Sequence, residues 1–402
     1  MLSFIKKISP YHLFLVIVAL TALAFGLAFE VLSNYFKEVY HVSAYERGLI
    51  EFPRELPGVL AIVFIAILSR FSDIRMSIIA MFLSIVGIMV LGLVTPPFGI
   101  MLLFIFINSV GGHLNMPLQD SIGMSLMSDE NIGKSMGQYK GISTAFAMVA
   151  SAFIFLGFRF GIFSFQTPVK WIFVASASIS VVVILLLILL DQVVHKPIIS
   201  DKRIKFIFRK EYKYYYTLVV MYGVQKQIML VYGPWVLIDL LSKKADTLAI
   251  LGIIGSFIGM FFMPQLGKWI DRFGIKTLLF ADAYSFIGVY LAYGLLCAGF
   301  VSGVLPLVGV IPVLLTYGLF IIDKMSNQMG MIRTLYLRKI AVLPSDIMPT
   351  LSLGLSMDHI VSILCAYLGG IIWTLWGPQY IFFFAAALSF VNLYVAKKVD
   401  IH

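Results

Sequence analysis

Charge is scarce in this chain. Only 12% of its 402 residues are Asp, Glu, Lys or Arg, and 60% are hydrophobic, whereas soluble domains are about 25% charged. A soluble core ringed by polar loops is thereby excluded. Cysteine is scarcer still: Cys297 and Cys365 both lie in apolar runs without metal or redox spacing, and read as small core residues. No Gly-x-x-x-x-Gly-Lys loop is present, so this chain encodes no ATP motor. Neither a Ser nucleophile elbow nor a His/Cys cluster at metal-ligand spacing occurs. No enzymatic activity, cofactor or metal is therefore expected. The alternating ten-residue segments of a β-barrel are missing too; "VVVILLLILL" (181–190) does not alternate. After Lys6 and Lys7 the apolar stretch from about Pro10 to Leu32 is long enough to span a bilayer, so no cleavable signal peptide is read there.

What is there is a succession of apolar runs, the mark of an all-α polytopic membrane protein. Twelve spans are expected, near 10–36, 44–68, 75–94, 97–126, 132–158, 168–190, 214–241, 246–268, 275–298, 304–327, 346–374 and 378–396. An even number puts both termini on one side. Of the 30 Lys and Arg, twenty fall on that side, among them Lys202, Arg209 and Arg333. Six fall on the other (Lys37, Arg47, Arg159, Lys170, Lys243 and Lys244), and Arg54, Lys140, Lys226 and Lys324 fall inside spans. The positive-inside rule makes the terminal side cytoplasmic. That bias accounts for much of the +10 charge without a nucleic-acid partner.

The longest polar stretch, "HKPIISDKRIKFIFRKEYK" (195–213), is a basic cytoplasmic linker between an N-terminal six-helix bundle (1–194) and a C-terminal one (214–402). Its basic residues suit anionic headgroups. The halves look related. "DENIGKSMGQYKGIS" (129–143) aligns without gaps on "DIMPTLSLGLSMDHI" (346–360), pairing Asp129 with Asp346, Ser135 with Ser352 and Gly137 with Gly354. Repeated halves are a common plan of secondary transporters.

Between spans eight and nine lies "GKWIDRFGIK" (267–276). Gly267, Asp271, Arg272, Gly274 and Lys276 occupy the places of a signature loop, and the chain resembles the major facilitator superfamily (MFS). Glycine permits a tight turn there, and a carboxylate beside an arginine can lock to a neighbouring helix end and release it. The matching first-half loop, "ILSRFSDIRM" (67–76), is degraded, with Ser69 and Ser72 where Asp and Gly would stand. The superfamily's antiporter motif is missing, since "GQYKGISTAFAMVASAF" (137–153) has no proline. The resemblance implies two pseudo-symmetric bundles whose first and fourth helices line a cavity open alternately to either face. It also implies that span two packs against span eleven.

Ionisable residues at bilayer depth are costly and usually paired or functional. The cavity helices carry Glu30 and Asn34 in span one. Span four carries Asn108, Asn115 and Gln119, with His113 on an adjoining stripe that ends at Asp120. Gln225 and Lys226 lie in span seven, and Asp323, Lys324 and Asn327 in span ten. These are the candidate substrate residues. Asp358 and His359 lie mid-span in span eleven. In "LIEFPRELPG" (49–58), Glu51, Arg54 and Glu55 share one helical face. These five are the candidate proton-coupling residues, with Arg54 available to Asp358 and one glutamate to His359. Pro53 and Pro57 would loosen the helix start. The competing reading makes Glu51 and its neighbours a solvated lead-in turn, and Lys140 a side chain that snorkels to the surface.

The leading reading is a monomeric secondary active transporter in the cell (inner or plasma) membrane. It would move a small molecule through the lipid bilayer by alternating access, coupled to protons, in either direction. A sodium-coupled carrier or a facilitative uniporter is the alternative. A membrane-embedded enzyme or transport-fold receptor stands further off.

Overall fold

Helices dominate because each apolar run must satisfy its own backbone inside lipid. The computed structural model describes residues 9–68, 70–126, 132–194, 208–343 and 346–400. Its helices are α1 (Pro10–Phe29), α2 (Leu32–Tyr40), α3 (Ala44–Ile67), α4 (Asp73–Leu93), α5 (Phe98–Leu126), α6 (Ile132–Arg159) and α7 (Trp171–Val193). The second half holds α8 (Lys213–Trp235), α9 (Ala245–Val301), α10 (Val310–Gln328), α11 (Met331–Ile340), α12 (Ile347–Leu375) and α13 (Pro378–Lys398). Most of the 195–213 linker, and Asp129 of the internal repeat, lie outside the described residues.

Among the described residues nine helices are long and apolar enough to cross a membrane. The 57 residues of α9 would run about 85 Å as one helix, far beyond a bilayer core of about 30 Å. They break at Gly274 (φ 78, ψ 161), so α9 supplies spans eight and nine. An L side chain resists that conformation, which is why glycine stands there. Spans two and seven, α3 and α8, are the remaining two of twelve. Their charged, tyrosine and glutamine residues dilute the hydropathy.

The expected spans are borne out, with local corrections. Span one divides at Glu30, where α1 ends and α2 begins. Span seven finishes in a π turn, Val236–Leu240, just beyond Pro234, whose missing N–H loosens the ladder. Span ten starts at Val310, not near 304, because Gly303 (φ 75) and Pro306 hold the preceding residues in turns. The signature stretch 267–276 is helical on both sides of Gly274, so its turn is that one residue. Pro53 and Pro57 lie inside an unbroken α3.

Two compact units are present: residues 1–40 with 56–203, and residues 41–55 with 204–402. In the first, α1 packs on α6 and α7, and α4 on α5 and α7. In the second, α8 packs on α12 and α13, and α9 on α10 and α13. Counted as spans, the pairs 1·5, 1·6, 3·4 and 3·6 recur as 7·11, 7·12, 9·10 and 9·12. The internal repeat is therefore one of packing as well as sequence. The first core centres on Phe14, Val18, Met81, Tyr139 and Leu187. The second centres on Tyr212, Leu279, Ile332, Leu337 and Ala396.

Candidate functional site

In the second unit the head of α3 lies antiparallel along α12. Three pairings fix the register: Ala44 faces Gly370, Gly48 faces Ala366, and Glu55 faces His359. Any Cβ on Gly48 would land on the Ala366 carbonyl oxygen, so glycine allows the close approach that sets this register. In this register the Glu55 carboxylate meets His359 Nδ1 at 2.8 Å. Asp358, one residue earlier, is turned about 100° round the helix and faces α8. There the Lys226 ammonium donates to Asp358 Oδ2, while Asp358 Oδ1 is buried with no hydrogen-bond partner.

Glu51 is one turn before Glu55 and is completely buried. It accepts from Arg47 Nη1 at 2.6 Å and from Gln227 Nε2 at 2.8 Å, and pairs with Arg54 Nη1 at 3.2 Å. Arg54 Nη2 reaches Glu55 Oε1 at 3.4 Å. A continuous chain of alternating charge thus runs Arg47, Glu51, Arg54, Glu55 and ends on the His359 imidazole, with Lys226 and Asp358 beside it. With His359 neutral the three cations and three carboxylates cancel. This burial rules out a solvated lead-in turn. The expected contact of Arg54 with Asp358 is replaced by Lys226, because α12 presents Asp358 to α8 and not to α3.

Elsewhere in the second unit, Gln225 is held in packing. It donates to Ser389 Oγ at 2.7 Å and accepts from Asn392 at 3.2 Å, joining α8 to α13. Asn327 Nδ2 donates to Asp323 Oδ2 at 2.7 Å. Lys324 turns toward α9, with its stem at Gly255 and its ammonium 5.5 Å from the Phe320 ring centre.

In the first unit, Ser151 Oγ donates to the Glu30 carboxylate at 2.7 Å, and Asn34 is buried. Asn108 donates to Ser84 Oγ at 2.9 Å, and Asn115 accepts from Ser77 at 2.9 Å; both amides are spent on α4. His113 Nδ1 lies 3.0 Å from Ser109 Oγ, one turn away on its own helix. Gln119 is half-buried on α5. Lys140 does not simply snorkel; it bonds Asp120 at 2.6 Å, and Tyr139 donates to the same oxygen.

Gly267 and Gly274 flank exposed Asp271 and Arg272, with half-buried Lys276 beyond. Among the described residues Asp271 makes no ion pair or hydrogen bond, and the Arg272 guanidinium lies 5.2 Å from the Phe273 ring centre. A firmer tie occurs just ahead of the apolar span Pro349–Leu375. Tyr212 OH and Arg209 Nε each donate to Asp346 Oδ2 at 2.7 Å. The Tyr212 hydroxyl, helped by Arg209, holds the Asp346 carboxyl below the usual carboxylate range.

Four residues were missed by sequence reasoning: Arg47, Gln227, Asp282 and Arg333. Arg47 and Arg333 were counted among surface charges, yet they are 1% and 3% exposed. For Arg333 the available signal was the helical stretch "MIRTLYLRKI" (331–340), which prolongs span ten. For Arg47 it was the four-residue spacing to Glu51. Without both arginines the charge imbalance across the membrane persists.

The family model of the Major Facilitator Superfamily matches residues 7–339. Among solved structures, the nucleoside transporter NupG superposes with a TM-score of 0.78 at 14% identity, covering 97% of this chain and 99% of that one. A bacterial homologue of the iron transporter ferroportin in its inward-facing state gives 0.70 at 13%, covering 97% and 98%. The D-xylose–proton symporter gives 0.70 at 13%, also covering 97% and 98%. Identities this low speak for the fold alone. No curated protein sequence matches the chain. With twelve spans in two repeated bundles, the signature stretch around Gly274, and a family match over 7–339, this multi-pass membrane protein belongs to the major facilitator superfamily.

Proposed function

We propose that the protein is a secondary active transporter that moves a small solute by alternating access, driven by protons. The observation that supports this reading best is the Asp358 carboxylate. It is buried mid-span, ion-paired through one oxygen to a partly exposed Lys226, and left with its other oxygen unpartnered. A carboxylate whose cation can be drawn away has a proton affinity that differs between states, the physical requirement for coupling. Asp358 carries the coupling proton, with the Glu55–His359 pair beside it. Lys226 contacts an anionic or zwitterionic part of the solute. Glu30, Asn34, His113 and Gln119 line the path in the first bundle. Asp271 and Arg272 control the interconversion of states. Both termini and the linker face the cytoplasm of a cell whose plasma or inner membrane holds the protein as a monomer.

The test uses the full chain in liposomes with an imposed proton gradient. Asp358→Asn fixes the neutral form of the side chain. Gradient-driven accumulation of solute should vanish while exchange of labelled for unlabelled solute persists, since exchange need not release the proton. Uphill transport at the parent rate by Asp358→Asn would move the proton site elsewhere. Parent activity with the proton gradient collapsed and sodium supplied would favour sodium coupling.

A further inference from the structure

The loop between α6 and α7 holds two large apolar side chains away from the protein. Phe160 is 73% exposed and Ile162 68%, on either side of Gly161, whose φ of 73 turns the chain between them. The loop behind them is firmly packed. Phe163 N–H donates to the Gly157 carbonyl at 2.9 Å. The ring centre of buried Phe165 lies 5.0 Å from that of Phe158, 5.6 Å from Tyr35 and 6.1 Å from Phe173. Lys170 closes the base and is only 4% exposed. Its ammonium donates to the Thr167 carbonyl at 2.6 Å, and its backbone N–H donates to the Gly92 carbonyl on α4 at 2.7 Å. A segment closed on itself and packed by its own side chains is an Ω-type loop. Phe160 and Ile162 are left out of that packing.

The helix that leads into the loop indicates what covers them. Exposed Val149, Phe153, Leu156 and Phe160 follow at steps of 4, 3 and 4, one stripe of α6 that runs off the helix end. The apolar stretch of α6, Gln138–Arg159, has 22 residues and so measures about 33 Å, against a bilayer core of about 30 Å. Phe160 and Ile162 therefore emerge where acyl chains give way to headgroups. Exposed Arg159 stands at the same level, where a guanidinium meets lipid phosphate. So does Trp171, exposed at the start of α7, a residue type that favours this boundary. Further along the loop the character changes, and exposed Gln166 and Thr167 form a polar crown suited to water. The division into an apolar shoulder and a polar crown is that of a segment lying in the interface.

We propose that the Phe160–Ile162 shoulder is a membrane anchor. It inserts into the phospholipid leaflet at the end of α7 opposite the linker, with both side chains among the first acyl carbons and Arg159 at the phosphates. It fixes the depth of span five in that leaflet. The assignment is independent of the solute and of what drives its transport.

The test uses the full chain freed of Cys297 and Cys365, held as one copy per phospholipid nanodisc so that both faces meet solvent. Ile162→Cys carries the fluorophore NBD, and Gln166→Cys carries it as the water-facing control on the same loop. Both side chains are exposed, so neither change disturbs the packed base. Phosphatidylcholine spin-labelled near the top of its acyl chain should quench NBD at 162 several-fold more than at 166. Aqueous iodide should do the reverse. Adding Phe160→Ser to Ile162→Cys should weaken the lipid quenching, since half of the shoulder is then polar. Equal access of iodide to both positions, without lipid quenching at 162, would put the shoulder in water and overturn the proposal. Lipid quenching alike at 162 and 166 would overturn it as well. So would protection of 162 that appears only in discs holding two copies, which would make the shoulder a contact between chains.

Discussion

Replacing Glu51 with glutamine removes one negative charge from the centre of the buried chain on α3 and leaves its shape intact. Glu51 is 0% exposed and takes bonds from Arg47, Arg54 and Gln227. Arg47, Glu51, Arg54 and Glu55 cancel as a group, so the amide leaves one buried positive charge uncompensated. Arg54 keeps Glu55 at 3.4 Å, and the loss falls chiefly on Arg47, whose 2.6 Å bond was the shortest of the set. Removing one partner of a buried pair costs about 3–5 kcal/mol. In the double variant Arg47→Gln/Glu51→Gln both members are neutral and only hydrogen-bond losses remain, about 1–3 kcal/mol. Thermal unfolding in detergent, followed by a thiol-reactive fluorophore on Cys297, would compare parent, both single variants and the double. Glu51→Gln should melt well below the double variant. A double variant that loses the sum of its singles would show that the two side chains do not interact, and the reasoning would fail.

Two further outcomes are expected. Gly274→Ala meets no neighbouring atom within 4 Å, so its penalty is that of the backbone alone, about 1–3 kcal/mol at φ 78 and ψ 161; an alanine variant that melts with the parent would remove the reason for glycine there. In a parent freed of Cys297 and Cys365, Glu211→Cys and Ser302→Cys should label from opposite faces of the membrane, and labelling of both by one impermeant reagent would sink the twelve-span topology.

Hydropathy made the fold legible because each span announces itself locally: an apolar run of sufficient length, closed by turn residues. Gly303 and Pro306 were such signals too, and reading them would have moved the start of span ten to Val310. The partners of the buried charges were not legible in the same way. That Glu51, Arg54 and Glu55 share a face follows from helical spacing; that His359 meets Glu55 and Lys226 meets Asp358 depends on two helix registers, one set by Gly48 against Ala366 and the other by Gly223 against Asp358. Arg333 misled for a related reason. A basic residue near a span end is ordinarily a surface charge, and only the three-dimensional approach of Asp282 and Tyr222 draws it inward.

The charge chain on α3 also bears on how the protein is made. Arg47, Glu51 and Arg54 find one another within a single helix, so they can pair as soon as that helix forms. Glu55 cannot. Its histidine is 304 residues downstream, and Gln227, the uncharged partner of Glu51, is 176 residues downstream. A segment this polar gains little by entering lipid alone, and the helices that complete its bonds emerge from the ribosome only later. Span two must therefore wait, at the membrane surface or against the insertion machinery, until α8 and then α12 arrive. During that interval the nascent protein exposes an incomplete polar face to quality control, and variants that weaken the late contacts should accumulate to lower levels than the parent.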